Sequence, residues 1–190
     1  MKQPRSEGSL PARIPGLKSR DEFLSLVGLE VEAFNSLRRR DQLPQRPPYE
    51  LPEEMADARG WPTPSALGLI IALELADRYD LSRKRAAEIA APVYAVEKRW
   101  ADICRTGQQL ADGHEPEFHI LYAALDLPDV KPTKKQPFPT IGVGTIIDIA
   151  AEYGSATGII CISVTRCAAL MRQRAKRAKI DLSEFWESFR

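Results

Sequence analysis

Residues 19–44, SRDEFLSLVGLEVEAFNSLRRRDQLP, divide into two short helices at a single glycine. Ser19 offers its hydroxyl to the first turn, and Glu22 three residues on completes a capping box, a reciprocal arrangement that satisfies backbone N–H groups left open at a helix start. Phe23, Leu24, Leu26 and Val27 supply the buried side of the first helix. Gly28 permits the tight turn, because without a Cβ it reaches backbone conformations that strain other residues. The second helix places Val31, Phe34 and Leu37 on one face, leaving Glu32, Asn35, Arg38 and Arg39 to solvent or a partner. A second helix that packs on one side and offers polar groups on the other is the economy of a helix-turn-helix, which sets that helix in the DNA major groove. DNA binding is therefore the leading expectation.

Downstream, residues 41–64 hold Pro44, Pro47, Pro48, Pro52, Pro62 and Pro64, which forbid one long helix. A two-stranded wing fits there, with room for a short helix over residues 52–58. Arg46, Tyr49, Arg59 and Trp61 are its candidate contacts, although Tyr49 and Trp61 also read as covers for the helix pair, which is the favoured reading for Trp61. Thr63-Pro64 is a good helix start, and Leu67, Ile70, Ile71, Leu73, Leu75 and Ala76 make the following helix apolar over most of its surface. Leu81-Ser82 restarts the chain as a helix with Ala86, Ala87, Ile89 and Ala90 inward, and Pro92 ends or kinks it. A further helix from Val93 to about Thr106 aligns Val93, Val96, Trp100 and Ile103 and is predicted to stop before Gly107.

The last third changes character. Residues 118–125 (FHILYAAL) read as a strand between Pro116 and Pro128, and residues 126–140 as a loop. Residues 144–153 look helical, residues 158–164 (GIICISV) read as a buried strand, and residues 165–180 form a basic amphipathic helix with Ala168, Ala169, Leu170 and Ala175 inward. A short final helix over residues 181–189 would be anchored by Leu182, Phe185, Trp186 and Phe189. Strand-helix-strand-helix order predicts a small α/β module. A second helix-turn-helix over residues 145–179 competes, but the Ile and Val run at its centre opposes a turn there.

Residues 34–44 (FNSLRRRDQLP) resemble the recognition helix and wing start of the winged-helix family that includes MerR-type regulators and phage excisionases: an arginine-rich end, a short turn and a Leu-Pro. Asp41 stands where that family usually has glycine, and Asn35 and Leu37 stand where MerR proteins favour an arginine and an aromatic. Residues 63–91 resemble the family's following helix pair, so the resemblance covers roughly the first half of the chain. It implies DNA contacts from Glu32, Asn35, Ser36, Arg38, Arg39 and Arg40 on the second helix, with Arg46 and Arg59 reaching the backbone from the wing. MerR-type proteins dimerise through a long helix after this domain. The comparable helix here is too short, which passes the role to the C-terminal module.

The chain has 190 residues and a formal net charge of +1, so any polyanion site must come from local clustering. Four arginines (Arg38, Arg39, Arg40, Arg46) face one acid, Asp41, over residues 38–46. Arg83, Lys84, Arg85, Lys98, Arg99 and Arg105 lie among Glu88, Glu97 and Asp102, and Arg166, Arg172, Arg174, Lys176, Arg177 and Lys179 lie among no acids. Such runs are often solvated helix faces, but one of them on a recognition helix points to a polyanion. Cys104, Cys161 and Cys167 show no CxxC spacing, which argues for a reducing cytoplasm, and Cys161 is expected in the core. No apolar run is long enough to span a membrane, and residues 1–16 carry no signal-peptide core.

Other chemistry is poorly supplied. Gly142-Val143-Gly144 precedes a helix but lacks the third glycine of a phosphate cradle, so a plain turn is the simpler reading. His114 and His119 with Glu115 and Glu117 would diverge along an extended chain rather than converge on a metal. Neither an enzyme nor a cofactor is expected. The predicted fold is α+β: a flexible arm (1–13), a mainly helical winged helix-turn-helix domain (14–91), a connecting helix and linker (92–114) and a small C-terminal α/β domain (115–190). The expected partner is double-stranded DNA, bound by a homodimeric transcriptional regulator. An excisionase-like architectural protein and a protein-binding adaptor are the alternatives.

Overall fold

In the computed structural model the described residues are 16–17, 19–44, 61–91, 97–124, 140–153 and 158–182. Helix α1 (Arg20–Val27) opens as its sequence dictates, with the Ser19 hydroxyl accepting from the Glu22 N–H at 3.1 Å. Asp21 and Glu22 lie in the first turn, where carboxylates complement the helix dipole. Gly28 takes φ +73°, and the Leu29 N–H reaches back to the Leu24 carbonyl at 3.1 Å, the six-to-one bond of a Schellman stop. Helix α2 (Val31–Arg39) follows two residues later. Phe34 and Leu37 are buried, and the Phe34 ring meets Phe23 edge-on at 5.7 Å between centroids. Val31, predicted inward, is 38% exposed: it begins the helix and precedes the part of α2 that packs. The end of α2 repeats the stop, with Asp41 at φ +53° and the Gln42 N–H on the Leu37 carbonyl.

Residues 45–60, with the wing, Arg46, Tyr49 and Arg59, lie outside the described residues. At their far side β2 (Trp61–Pro62) pairs antiparallel with β1 (Gly16–Leu17), so this two-stranded ladder joins the chain before α1 to the chain after residue 60. Helix α3 (Thr63–Tyr79) is central as predicted, burying Ala66, Leu67, Leu69, Ile70, Ile71, Ala72, Leu75 and Ala76. Helix α4 (Arg83–Ala90), capped by Ser82, buries the four residues expected of it, Ala86, Ala87, Ile89 and Ala90.

Helix α5 (Glu97–Ala111) runs through Gly107, where the sequence predicts a stop. The stop is Gly113, at φ +88°, with the His114 N–H on the Gln109 carbonyl. Gly107 has a packing reason instead. A Cβ there would lie 2.7 Å from the Cβ of Ala168, so glycine lets two helices cross closely.

The C-terminal third contains β3 (Ile120–Ala124), β4 (Thr140–Gly144), α6 (Ile146–Tyr153), β5 (Ile159–Ser163) and α7 (Val164–Ala178). The sheet has the order β4-β3-β5 and both pairings are antiparallel. This corrects the α/β expectation, which has no place for β4. Gly142-Val143-Gly144 is not a turn but part of that strand, Gly142 opposite Tyr122 and Gly144 opposite Ile120. Two glycines weaken the local strand signal, and pairing with β3 supplies what propensity withholds. Cys161, expected in the core, is exposed on β5, and its backbone is held at the sheet edge by the Tyr79 hydroxyl, which donates to the Cys161 carbonyl at 2.5 Å.

Helix α7 does not sit on the sheet alone. It packs along α5 and against α1 and α3, burying Val164, Thr165, Cys167, Ala168, Ala169, Met171 and Ala175. Thr165 joins its neighbours by polar contacts as well, its hydroxyl 3.3 Å from that of Thr106 and accepting from the His119 N–H at 2.9 Å. Most of the buried apolar residues form one cluster that runs from Phe23 to Leu182 and includes Ile103 and Cys104, within the stretch 92–114 that the sequence reads as a connecting helix and linker. No helix among the described residues is long and apolar enough to cross a membrane.

Candidate nucleic-acid interface

The outer surface of α2 is set by its buried pair. With Phe34 and Leu37 inward, Glu32, Arg38 and Arg39 are exposed, as is Arg40 just beyond the helix, while Asn35 and Ser36 are half-buried. Arg20 of α1 reaches across to this helix. Its guanidinium lies 5.5 Å from the Phe34 ring centre and donates to the Asn35 Oδ1 at 2.6 Å. Bidentate recognition of adenine uses both the oxygen and the amide nitrogen of asparagine. With one acceptor position of its oxygen engaged by Arg20, Asn35 is held in place and keeps its amide N–H groups for a partner. The acids Glu30 and Glu32 gather at the start of α2 and the cations at its end, so the attraction for an anion is concentrated at Arg38, Arg39 and Arg40.

The three basic clusters of the sequence have different fates. In the middle cluster Arg83 pairs with Asp77, Arg85 with Glu88 and Arg105 with Asp102, at 2.9, 2.8 and 3.2 Å. Exposed pairs of this kind add little stability, but they cancel local charge. Arg38, Arg39 and Arg40 form no ion pair with another described residue. In the third cluster Arg166 lies 5.7 Å from the Phe118 ring centre and Arg174 turns inward, while Lys176, Arg177 and Lys179 are exposed.

Arg174 departs most from its sequence expectation. The sequence groups it with a solvated basic face, yet its Nη1 donates to the Leu26 carbonyl at 3.2 Å and to that of Val27, the open carbonyls at the end of α1. Its guanidinium also fills the space beside Gly28, where an added Cβ would stand 2.8 Å from Cζ. Burial lowers its pKa from the ordinary arginine value, Glu74 opposing that shift and Arg177 adding to it. The signal is present in the spacing: Arg174 shares a helix face with Cys167 and Met171, at i+7 and i+3, and that face is buried.

Elsewhere, an open cleft of about 280 Å³ lies between α3 and the β5–α7 junction, lined by Glu74, Arg78, Tyr79, Cys161, Ser163 and Arg166 among others. Its polar groups are largely committed within the fold, Arg78 to Glu74 at 3.0 Å and Tyr79 to the Cys161 backbone. Burial pushes the Cys104 thiol well above the usual thiol value and Cys167 up to about 12. His114 is exposed and His119 is buried, and no group of potential metal ligands occurs among the described residues.

No protein-family model, curated protein or solved structure matches this chain.

Proposed function

We propose that this protein binds double-stranded DNA through α2 and acts as a transcriptional regulator in the cytoplasm. The observation that carries the reading is the α1–α2 pair itself. It is closed at left-handed Gly28 and packed through Phe23 and Phe34, and it offers Arg38, Arg39 and Arg40 without an ion pair to a described residue. The resemblance to MerR-type regulators and excisionases gains support at one position. Asp41, standing where those proteins usually have glycine, adopts the left-handed conformation that glycine takes most easily and that aspartate tolerates. Arg38, Arg39 and Arg40 would meet phosphates or base edges, Asn35 and Ser36 would contribute polar contacts, and Arg46 and Arg59 would approach the backbone from the wing.

Alanine at Arg38, Arg39 and Arg40 together tests this. The fold should persist, because all three side chains are exposed. Affinity for DNA should fall, and the slope of log K against log salt should flatten by about 0.9 for each phosphate no longer neutralised. A triple variant that binds its selected sequence as tightly as the parent would show that α2 is not the reader. Footprinting separates a regulator, with one palindromic site, from an excisionase-like architectural protein, with an extended array.

A homodimer fits this reading, since one such module buries limited surface on DNA. The described residues best suited to a subunit contact are Ile146 and Ile147 of α6, 66% and 76% exposed. These same side chains are the observation that favours a protein-binding adaptor. Mass in solution with both changed to serine bears on either reading.

A further inference from the structure

Lys176, Arg177 and Lys179 crowd three positive charges onto the end of α7, all exposed and none ion-paired with a described residue. One role for cations there is internal, since they complement the negative end of the helix dipole. That role is satisfied within the last turn and does not require three of them. Like charges this close on a helix repel. A polyanion would relieve the repulsion.

Their location is fixed by Arg174. Its guanidinium grips the Leu26 and Val27 carbonyls and lies against Gly28, so this stretch of α7 is seated on the turn between α1 and α2. Arg177 lies one helical turn further along the same side, and Lys179 follows as the left-handed cap of the helix. Arg177 and Lys179 therefore extend from the turn that leads into α2, whereas Lys176 lies about 200° around the helix from Arg174, on the side lined by Ala111 and Asp112 at the end of α5. Although Arg39 and Lys179 are 140 positions apart in sequence, Arg174 brings the end of α7 to the base of the same helix pair.

We propose that the end of α7 is a second DNA-contacting surface, in which Arg177 and Lys179 hold the phosphate backbone beside the α1–α2 turn while the end of α2 reads the groove. This rests on the DNA-binding reading of α2 and adds a division of labour to it: α7 supplies affinity without sequence preference.

The test uses the full chain and two labelled duplexes, one of random sequence and one recovered by selection. Arg177→Gln and Lys179→Asn are combined, asparagine being chosen for the left-handed cap position. Binding to both duplexes should weaken by the same factor, about tenfold or more at low salt, and the salt slope should fall by about 0.9 for each phosphate released. The ratio of affinities for the two duplexes should not change. A charge-keeping variant, Arg177→Lys with Lys179→Arg, should bind as the parent does. If the neutral variant melts early, Arg177→Gln alone is measured, with a proportionately smaller effect expected. Unchanged affinity and slope in a folded neutral variant would overturn the proposal while leaving the reading of α2 intact. Loss of the preference for the selected duplex would also overturn it, since α7 would then be reading bases. A parent that binds neither duplex overturns both.

Discussion

At the scale of single residues, Gly28 is constrained twice. Its φ of +73° is costly for any residue with a Cβ, and the space a Cβ would enter is occupied by the Arg174 guanidinium. Gly28→Ala should therefore destabilise the protein by about 1–3 kcal/mol, the usual cost of holding an ordinary residue in such a backbone region. The steric part can be separated from the conformational part. Arg174→Ala removes the obstructing group but also leaves the Leu26 and Val27 carbonyls without their donor, so alone it too should destabilise. In the double variant the collision is gone, and urea titrations should give a loss smaller than the sum of the two singles. Strict additivity would mean that Arg174 moves aside freely and that the glycine is needed for its backbone alone. Asp41 makes a useful comparison: it takes a similar left-handed φ of +53° without being glycine.

At the scale of elements, the crossing of α5 and α7 depends on small residues. Gly107 faces Ala168, and close by Thr106 and Thr165 bring their hydroxyls together. Gly107→Ala gains up to about 1 kcal/mol in helix propensity. Against that stands overpacking of about 1–3 kcal/mol, because the obstructing atom is a Cβ fixed to a helix rather than the end of a flexible chain. The net change should be a loss of stability. In an Ala168→Gly background the same substitution should become neutral or favourable, and a loss of equal size in both backgrounds would refute the close crossing. This crossing also marks what the sequence can and cannot reveal. Helices α1, α3 and α4 are legible because caps, stops and apolar spacing are local: Ser19 with Glu22, Thr63-Pro64, Ser82 with its four inward residues. Gly107 reads as a stop because its true reason, Ala168, lies far along the chain. Strand β4 stays hidden because its glycines speak against a strand until β3 is beside them. Of the candidate site, the phase of α2 and the exposure of Arg38, Arg39 and Arg40 are readable from Phe34 and Leu37. The engagement of Asn35 by Arg20, fifteen residues earlier, and the inward turn of Arg174 depend on packing between helices.

At the scale of the whole molecule, the question is whether the first half of the chain can stand alone. A two-domain reading makes residues 115–190 a module that could be removed. Yet α7 packs against α1, α3 and α5, and its Val164, Cys167, Ala168, Met171 and Ala175 belong to the same buried cluster as Leu26, Leu75 and Ile103. Fully burying one large aliphatic side chain is worth about 1.5–3 kcal/mol. A domain's net stability is only about 5–15 kcal/mol, so uncovering two or three such side chains approaches the whole of it. Arg174 adds a polar tie of the same direction, since without it the carbonyls ending α1 lose their donor. A chain ended after Gly113, where α5 stops, should therefore lose cooperative unfolding, and its thermal melt should be broad or absent. Weak DNA binding by such a fragment would then report damaged structure rather than a missing dimer interface, which is why point variants on α2 and α7 are the sharper probes of function. A fragment that melted in a single cooperative transition would show that α1 to α5 fold independently, and the helix pair would then be a separable module to which α7 is merely docked.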